Sequence, residues 1–252
     1  MPRFFIQKEQ VTENTAHLFG ADAHHIARSL RMAVGDSLTL CDMQGIEYDG
    51  VIESFDEDRE VFVRVNTTRR SEREPNCRIT VFQALPKGDK LDVVIQKAVE
   101  CGASEIVPFE SERCVVRMKP DAEARKTERR QRIAAEAAKQ SGRSVIPNVC
   151  ATVSFEEMIS LASQCDIKLF CYEGDGTEPL GEVLRGERDL LLKDSATVAI
   201  VIGSEGGFSL EEVAKAQASG LRAIGLGKRI LRTETASGFV LSCLVYVTEL
   251  GG

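Results

Sequence analysis

The sequence predicts an α/β protein in which a parallel sheet with helices on both faces follows a small β-barrel-like domain. Three observations support this fold class. Up to about Arg70, short β-branched runs are separated by Gly and acidic turns, a pattern typical of small barrels. Beyond that point strands alternate with amphipathic helices. The apolar run Thr197–Ile202 is typical of a parallel strand that is buried on both faces.

The N-terminal segment is predicted to contain three strands and one helix. The strands lie at Ser37–Cys41, Glu47–Ser54 and Val61–Val65. The helix covers Ala23–Arg31 and follows Asp22, a residue type that caps helix N-termini well. The polar segment Thr67–Asn76 contains a proline and is typical of a linker. We therefore expect a first domain at 1–72 and a second at 73–252.

The second domain is predicted to alternate five strands with five helices. The strands lie at Ile79–Ala84, Ile106–Phe109, Ile167–Tyr172, Thr197–Ile202 and Leu221–Leu226, and the helices at Lys87–Cys101, Asp121–Ser141, Ser154–Gln164, Ser209–Ser219 and Glu234–Leu250. Ser209 and Glu212 have the spacing of a capping box. The last helix carries one apolar face that either the core or a second chain covers, formed by Ala236, Phe239, Val240, Cys243, Leu244, Val247 and Leu250.

The composition argues against several classes of protein. A net charge of −7 disfavours binding of nucleic acid over the whole surface, although a local basic patch stays possible. The eight cysteines form no CxxC pair and the chain has three histidines, so we expect no metal site and no disulfide framework. No apolar run has the length of a membrane span and no secretory signal is visible, so we expect a cytoplasmic protein that does not bind membranes.

Three loops follow predicted strands at their carboxyl ends, where open parallel sheets bind ligands. They are Phe170–Gly174, Ile202–Phe208 and Gly225–Ala236. The second contains a Gly-Gly pair that fits either a left-handed turn or a ligand cradle, but it matches neither a Walker P-loop nor a GxGxxG fingerprint. The third is longer than a plain connection of ~2–6 residues. Its length and polarity indicate a function.

Two of these loops carry a family resemblance. The segments GSEGGFSLEE (203–212) and LGKRILRTETA (226–236) resemble the C-terminal region of SPOUT-class methyltransferases, and more narrowly the RsmE family. Three further segments resemble that family's motifs: Ala84–Val116, Ala134–Pro147 and, in a PUA-like domain, His24–Asp36. The family usually has Pro at the position of Ser204 and Leu at that of Cys101, but neither change removes a group that chemistry needs.

The resemblance implies a fold and an activity. The fold is a SPOUT-type, trefoil-knotted parallel sheet preceded by a PUA-like β-barrel. The activity is methylation of N3 of a uridine in 16S ribosomal RNA, with S-adenosylmethionine as the methyl donor. The same resemblance implies that the three loops hold this cofactor largely through main-chain atoms, at Cys171, Gly203, Glu205, Gly206, Gly207, Leu226, Gly227, Ile230, Leu231 and Thr233.

Two side chains of the third loop are candidates for catalysis. Arg232 has two parallel donors that suit the O2 or O4 of a uridine anion, or it anchors the loop. Glu234 accepts the N3 proton, or it complements the dipole of the last helix. Glu205 contacts the cofactor ribose or caps the following turn.

The expected partners are 16S ribosomal RNA or the assembled small ribosomal subunit. Arginines suited to phosphate contacts are Arg3, Arg28, Arg31, Arg113 and Arg143. Because SPOUT enzymes are typically dimers that complete the site across the interface, the resemblance also implies a homodimer.

Two other functions stay open at this point. Related knotted enzymes methylate the ribose 2′-O of RNA. A noncatalytic RNA-binding protein that assists ribosome assembly would keep only a relict pocket, although the intact GSEGG and LRTETA loops argue against it.

Overall fold

Each of two units is built around one β-sheet. In the computed structural model, which describes residues 1–118 and 120–251, Met1–Glu74 and Ala138–Ile146 form the first unit. Pro75–Ala137 and the residues from Pro147 onward form the second. Residues 138–146, which the sequence assigns to the second domain, thus group with the first unit.

The first unit contains a six-stranded sheet in the order β1-β4-β5-β6-β3-β2. Its strands are β1 (Arg3–Phe5), β2 (Val11–Thr12), β3 (Thr15–Leu18), β4 (Ser37–Cys41), β5 (Ile46–Phe55) and β6 (Val61–Arg70). Strand β1 pairs with β4 in parallel, and the other pairs are antiparallel. Alternate residues of these strands point into one core, which includes Phe4, Leu18, Leu38, Leu40, Ile52 and Val63.

The second unit contains a seven-stranded sheet in the order β11-β13-β10-β12-β7-β8-β9, and every pair in it is parallel. The strands are β7 (Arg78–Ala84), β8 (Glu105–Phe109), β9 (Asn148–Val149), β10 (Ile167–Cys171), β11 (Glu178–Pro179), β12 (Thr197–Ile202) and β13 (Arg222–Gly225). Central β12 is buried from Val198 to Ile202, as its continuous apolar sequence predicts.

The helices of the second unit connect and cover these strands. They are α2 (Lys90–Glu100), α3 (Pro120–Ser141), α4 (Phe155–Ala162), α5 (Leu180–Gly186), α6 (Arg188–Leu191), α7 (Leu210–Ala218) and α8 (Thr233–Thr248). Helices α2 and α8 pack against each other, and α8 also contacts β12. The α/β fold class predicted from the sequence is confirmed. Strand pairing does not define how the chain is threaded, so the trefoil knot stays a prediction.

Two predictions for the first unit are wrong. Helix α1 covers Gly20–His24 and continues as a π-helical turn over His25–Ser29. Its N-cap is Phe19, which makes no side-chain cap, so Asp22 lies within the first turn instead of before it. The predicted linker overlaps β6, which continues to Arg70.

Cross-strand partners explain why the polar end of β6 stays in the sheet. Arg69 forms ion pairs with Glu47 and Asp49 of β5, and Arg70 pairs with Ile46 at the end of the ladder. Opposite charges on neighbouring strands stabilise their pairing. The strands β1, β2, β3, β9 and β11 and the helices α5 and α6 are short, and the sequence patterns did not reveal them.

Gly50 gives a test of the packing in the first unit. It lies at a β-bulge in β5, and a Cβ atom there would lie 2.6 Å from Val63 Cγ1 and 2.7 Å from the Arg64 carbonyl oxygen. We expect Gly50→Ala to lower the free energy of unfolding by about 1–3 kcal/mol, measured by chemical denaturation followed by circular dichroism. The control is Gly186→Ala on α5, where nothing lies within 4 Å. Equal stability of the two variants would contradict the close packing.

Candidate active site

The carboxyl ends of four neighbouring strands meet in one row of paired residues. Gln83 of β7 pairs with Ile202 of β12. Cys171 of β10 pairs with both Ile202 and Ile224 of β13. Because the strands are parallel, the loops that follow them leave the sheet at the same edge. The three loops singled out in the sequence enclose a cavity of about 500 Å³ there.

Most residues predicted to hold a cofactor line this cavity. They are Cys171, Gly203, Glu205, Gly207, Leu226, Gly227, Ile230, Leu231 and Thr233. Lys90, Tyr172, Glu173, Ser204 and Phe208 line it too. The wall therefore combines glycine main chain and apolar side chains with a small number of charged groups. This is the composition of a small-molecule site.

Gly206 is the exception among the predicted cofactor residues, because it lies outside the cavity lining. A Cβ atom on it would lie 2.9 Å from Arg113 Cβ and 3.0 Å from the Arg113 carbonyl oxygen. The glycine thus allows the chain around Arg113 to approach the second loop. Its small size serves this contact within the protein, and its contact with a cofactor stays a prediction.

The side chains of Phe208 and Glu212 hold the second loop in place. The Phe208 ring packs against that of Phe170 in the core, with the ring centroids 4.3 Å apart. The Glu212 carboxylate accepts hydrogen bonds from the main-chain N–H of Ser209 at 2.9 Å and of Glu112 at 2.8 Å. The first bond belongs to the capping box that the sequence predicts. The second bond joins elements about 100 residues apart and has no sequence signature.

A chain of alternating charges lies at one end of the cavity. Lys90 Nζ lies 2.7 Å from Glu205 Oε1 and 3.8 Å from Glu234 Oε2. Arg232 Nη1 lies 3.9 Å from Glu234 Oε1, and the arginine side chain is 82% exposed. Sequence reasoning missed Lys90, because only the packing of α2 beside α8 brings it to the site.

The Glu205 carboxylate is held ionised by its neighbours. Partial burial opposes ionisation, but the hydrogen bonds from Lys90 and from main-chain N–H groups outweigh it, so the pKa of Glu205 lies below its ordinary value. Its contacts with the Lys87 N–H and the Lys90 ammonium brace the second loop against the start of α2.

The Cys171 thiol is suited to stay neutral at the cavity wall. Burial raises the pKa of its thiol to about 12, which disfavours the thiolate that would act as a nucleophile. Its position in the wall therefore provides a small neutral surface.

Comparison with known proteins identifies the family. Residues 72–245 match the model of the RNA methyltransferase domain, and residues 19–65 match that of the RNA methyltransferase PUA domain. The chain is 35% identical to the ribosomal RNA small subunit methyltransferase E of Bacillus subtilis (strain 168), over 99% of this chain and 98% of the relative. The chain belongs to the ribosomal RNA small subunit methyltransferase E family. The resemblance seen in the sequence is confirmed.

Solved structures of methyltransferase E and related proteins share the fold. The enzyme of Neisseria gonorrhoeae, bound to S-adenosylmethionine, superposes with a TM-score of 0.82 at 28% identity, covering 98% of each chain. A putative methyltransferase from Legionella pneumophila in complex with the same cofactor gives a TM-score of 0.81 at 30% identity, covering 98% of this chain and 97% of the other.

Two of the arginines that the methyltransferase E resemblance suggested for RNA binding are engaged within the protein. The Arg3 side chain is 10% exposed and bonds Glu47 at 2.7 Å. The Arg143 side chain is 6% exposed and bonds Glu74 at 2.5 Å. Low exposure and a carboxylate partner make both of them structural anchors in the first unit, so the other three arginines carry the predicted phosphate contacts more readily.

The other three predicted arginines are accessible. Arg28 and Arg31 are exposed on and just after the π-helical turn. Arg113 is exposed in the second unit and donates a hydrogen bond to the Gly206 carbonyl oxygen at 3.2 Å. Within residues 1–118 and 120–251 no group of His, Cys, Asp and Glu side chains is arranged to hold a metal ion. No helix in the described part of the chain has the length and hydropathy needed to cross a membrane.

Glu212 allows a test of how the second loop is held. Glu212→Gln keeps the shape but turns one acceptor into a donor that faces a main-chain N–H. We expect it to lower the free energy of unfolding by about 1–3 kcal/mol, measured by denaturation. The adjacent Glu211 is exposed, and Glu211→Gln should change that free energy by less than about 0.5 kcal/mol. If both variants match the wild type, the carboxylate does not support the loop.

Proposed function

We propose that this chain transfers a methyl group from S-adenosylmethionine to N3 of a uridine in 16S ribosomal RNA. The observation that carries the proposal is the cavity at the carboxyl ends of β10, β12 and β13, in a chain whose curated relatives are named ribosomal RNA small subunit methyltransferase E. The family resemblance supplies the position of the methylated atom. The site of action is the cytoplasm, where small subunits assemble.

The residues of the cavity fit this cofactor. Apolar side chains such as Leu226 and Ile230 suit the adenine ring, and the Glu173 carboxylate at the wall suits a molecule with positive charge. Ser204 Oγ is buried at the wall without a hydrogen-bond partner, and a buried hydroxyl in that state favours binding of a polar ligand. When bound, S-adenosylmethionine supplies an electrophilic methyl group on a positively charged sulfur.

Arg232 is the side chain that stabilises the negative charge of the nucleophile. Neutral uracil N3 carries a proton and is a poor nucleophile, so the reactive form has anionic character on O2 and O4. The Arg232 guanidinium is exposed at the charged end of the cavity, and its paired donors match such an anion. It stabilises the uridine anion that forms when the N3 proton passes to solvent water, and thereby lowers the barrier to methylation.

Glu234 orients this guanidinium. It lies in the first turn of α8, where negative charge is favourable, and its carboxylate is flanked by Arg232 and Lys90. These contacts support a positioning role for Glu234 more than the role of proton acceptor.

The RNA is held by phosphate contacts from Arg28, Arg31 and Arg113. All three are exposed, and contacts with phosphates fix the register of an RNA without reading its sequence. The acidic chain therefore binds RNA through local groups, because its net charge of −7 gives no general attraction.

The chain acts as a homodimer. On α8 the side chains of Phe239 and Tyr246 are 41% and 58% exposed and lie on one side of the helix. Val93 of α2, the helix that packs against α8, is 44% exposed. The inner residues Ala236, Val240 and Leu244 are buried in the same chain. A second copy covers the outer side, as in the dimers of the SPOUT class.

The reaction itself is tested by incubating undermethylated small subunits, or naked 16S RNA, with the protein and S-adenosylmethionine. Mass spectrometry of the nucleosides should show 3-methyluridine. Detection of 2′-O-methyluridine instead would establish the ribose activity, and cofactor binding with neither product would leave a noncatalytic protein. The preferred substrate is the one methylated at the lower concentration.

Arg232→Ala should separate turnover from binding. Because the guanidinium acts on the uridine anion, we expect kcat to fall about 100-fold, while the Kd of S-adenosylmethionine measured by calorimetry changes less than about threefold. Arg188→Ala on α6 is the control, because that arginine is exposed away from the cavity. Equal losses of turnover and affinity would make Arg232 an anchor of the loop.

Tyr246→Lys should weaken the dimer. A charge placed in an apolar interface costs free energy on association, so light scattering at micromolar concentration should show one chain for the variant and two for the wild type. Leu210→Lys on α7 changes a side chain that is 75% exposed elsewhere and should keep the dimer. A monomeric wild type would contradict the assembly.

A further inference from the structure

Gln83 is a buried polar residue that takes no part in the proposed chemistry. It lies in β7 in register with Ile202, the residue before Gly203. Its side chain is 0% exposed. A buried amide is costly unless it is hydrogen-bonded, so the partners of Gln83 show what its polar group does.

The amide of Gln83 joins two of the loops that line the cavity. Its Nε2 donates to Thr233 Oγ1 at 2.8 Å and to the Gly203 carbonyl oxygen at 3.4 Å. The Thr233 hydroxyl in turn donates to the same Gly203 oxygen at 2.6 Å. Gly203 lies near the start of the second loop, and Thr233 lies near the end of the third. The three groups therefore form a closed network, which we call the Gln83 network.

The chemistry of the partners fixes the orientation of the amide. The Gly203 and Ala84 carbonyl oxygens are acceptors only, and Nε2 reaches both, the latter at 2.9 Å. The opposite end of the amide, Oε1, is buried and has no hydrogen-bond partner. The two N–H donors of the NH₂ group serve these three acceptors, so the bonds to Thr233 and Ala84 are the short pair and the 3.4 Å contact with Gly203 is a shared, weaker bond. A side chain without donors at this position cannot replace them.

We propose that Gln83 is a positioning residue for methyl transfer. Through Thr233 and Gly203 it fixes the separation between the second and third loops, and so the shape in which the cavity receives its cofactor. The inference rests on the proposed function. Methyl transfer depends on alignment of donor, methyl group and acceptor, so loss of the network should affect both affinity and rate at saturating cofactor.

A matched substitution separates positioning from simple stabilisation. Gln131 makes comparable bonds far from the cavity, since its Nε2 donates to the Pro147 carbonyl oxygen at 3.0 Å and its Oε1 accepts from the Val149 N–H at 2.8 Å. Gln83→Met and Gln131→Met should both lower Tm. Only Gln83→Met should raise the Kd of S-adenosylmethionine, by about tenfold, the ratio expected for one lost buried hydrogen bond.

The partner residue gives a second, independent variant. Thr233→Val removes the hydroxyl and should also raise Kd about tenfold, whereas Thr233→Ser keeps it and should bind as the wild type does. Because the two residues belong to one network, the double variant Gln83→Met/Thr233→Val should be no worse than either single variant. Because Thr233 also lines the cavity, a direct contact with the cofactor would raise Kd in Thr233→Val as well. If Gln83→Met does not fold, Thr233→Val and Thr233→Ser therefore decide the matter through hydrogen exchange in the free protein.

A measurement without ligand tests the network apart from the reaction. Hydrogen exchange in the free protein should be faster in peptides covering 203–208 and 231–236 in Gln83→Met, and unchanged there in Gln131→Met. Unchanged exchange, additive effects in the double variant, or equal Kd values for the two methionine variants would overturn the inference. If the wild type fails to bind S-adenosylmethionine, the proposed function falls, while the exchange data still decide whether Gln83 couples the loops.

Discussion

The register of four parallel strands at their carboxyl ends is the constraint on which the site depends. Gln83, Ile202, Cys171 and Ile224 lie in one hydrogen-bonded row, so three loops from distant parts of the chain begin at the same edge of the sheet. In a parallel ladder the evenly spaced bonds join each inner strand to both neighbours, so a shift of one strand disturbs both pairings. The cavity follows from that shared edge, and its wall includes Gly203, Gly207, Gly225 and Gly227.

The loops keep their shape because buried groups beneath them hold both ends. Phe208 packs into the aromatic core beside Phe170, Glu212 bonds two main-chain N–H groups, and Gln83 bonds Gly203 and Thr233. The side chains of Phe208, Glu212 and Gln83 that make these contacts are nearly fully buried. A preformed wall loses less conformational entropy when a ligand binds, which suits a site that must hold a flexible methyl donor in one pose.

Charged side chains of this acidic chain act in local clusters. Lys90 and Arg232 alternate with Glu205 and Glu234 at the rim of the cavity, and Lys228 and Arg229 add positive charge to its lining. The exposed Arg232 guanidinium is placed to meet an anion. Elsewhere arginines divide into two groups. Buried ones that pair with a carboxylate, such as Arg143 with Glu74, stabilise the fold, and exposed ones are proposed to meet phosphates. Sequence alone does not separate these groups, because both have the same residue type and similar surroundings in the chain.

The sequence by itself determined the α/β class, the buried strand Thr197–Ile202, the capping box at Ser209 and the family. Each of these depends on residues close together in the chain or on contiguous sequence motifs. Only the tertiary structure decided that Gly206 faces Arg113 instead of the cavity, that Arg143 is buried, and that Lys90 and Gln83 belong to the site. The physical reason is the same in each case. These roles are set by partners 69 to 150 residues away, and such pairings arise from the packing of the sheet, which no local pattern encodes.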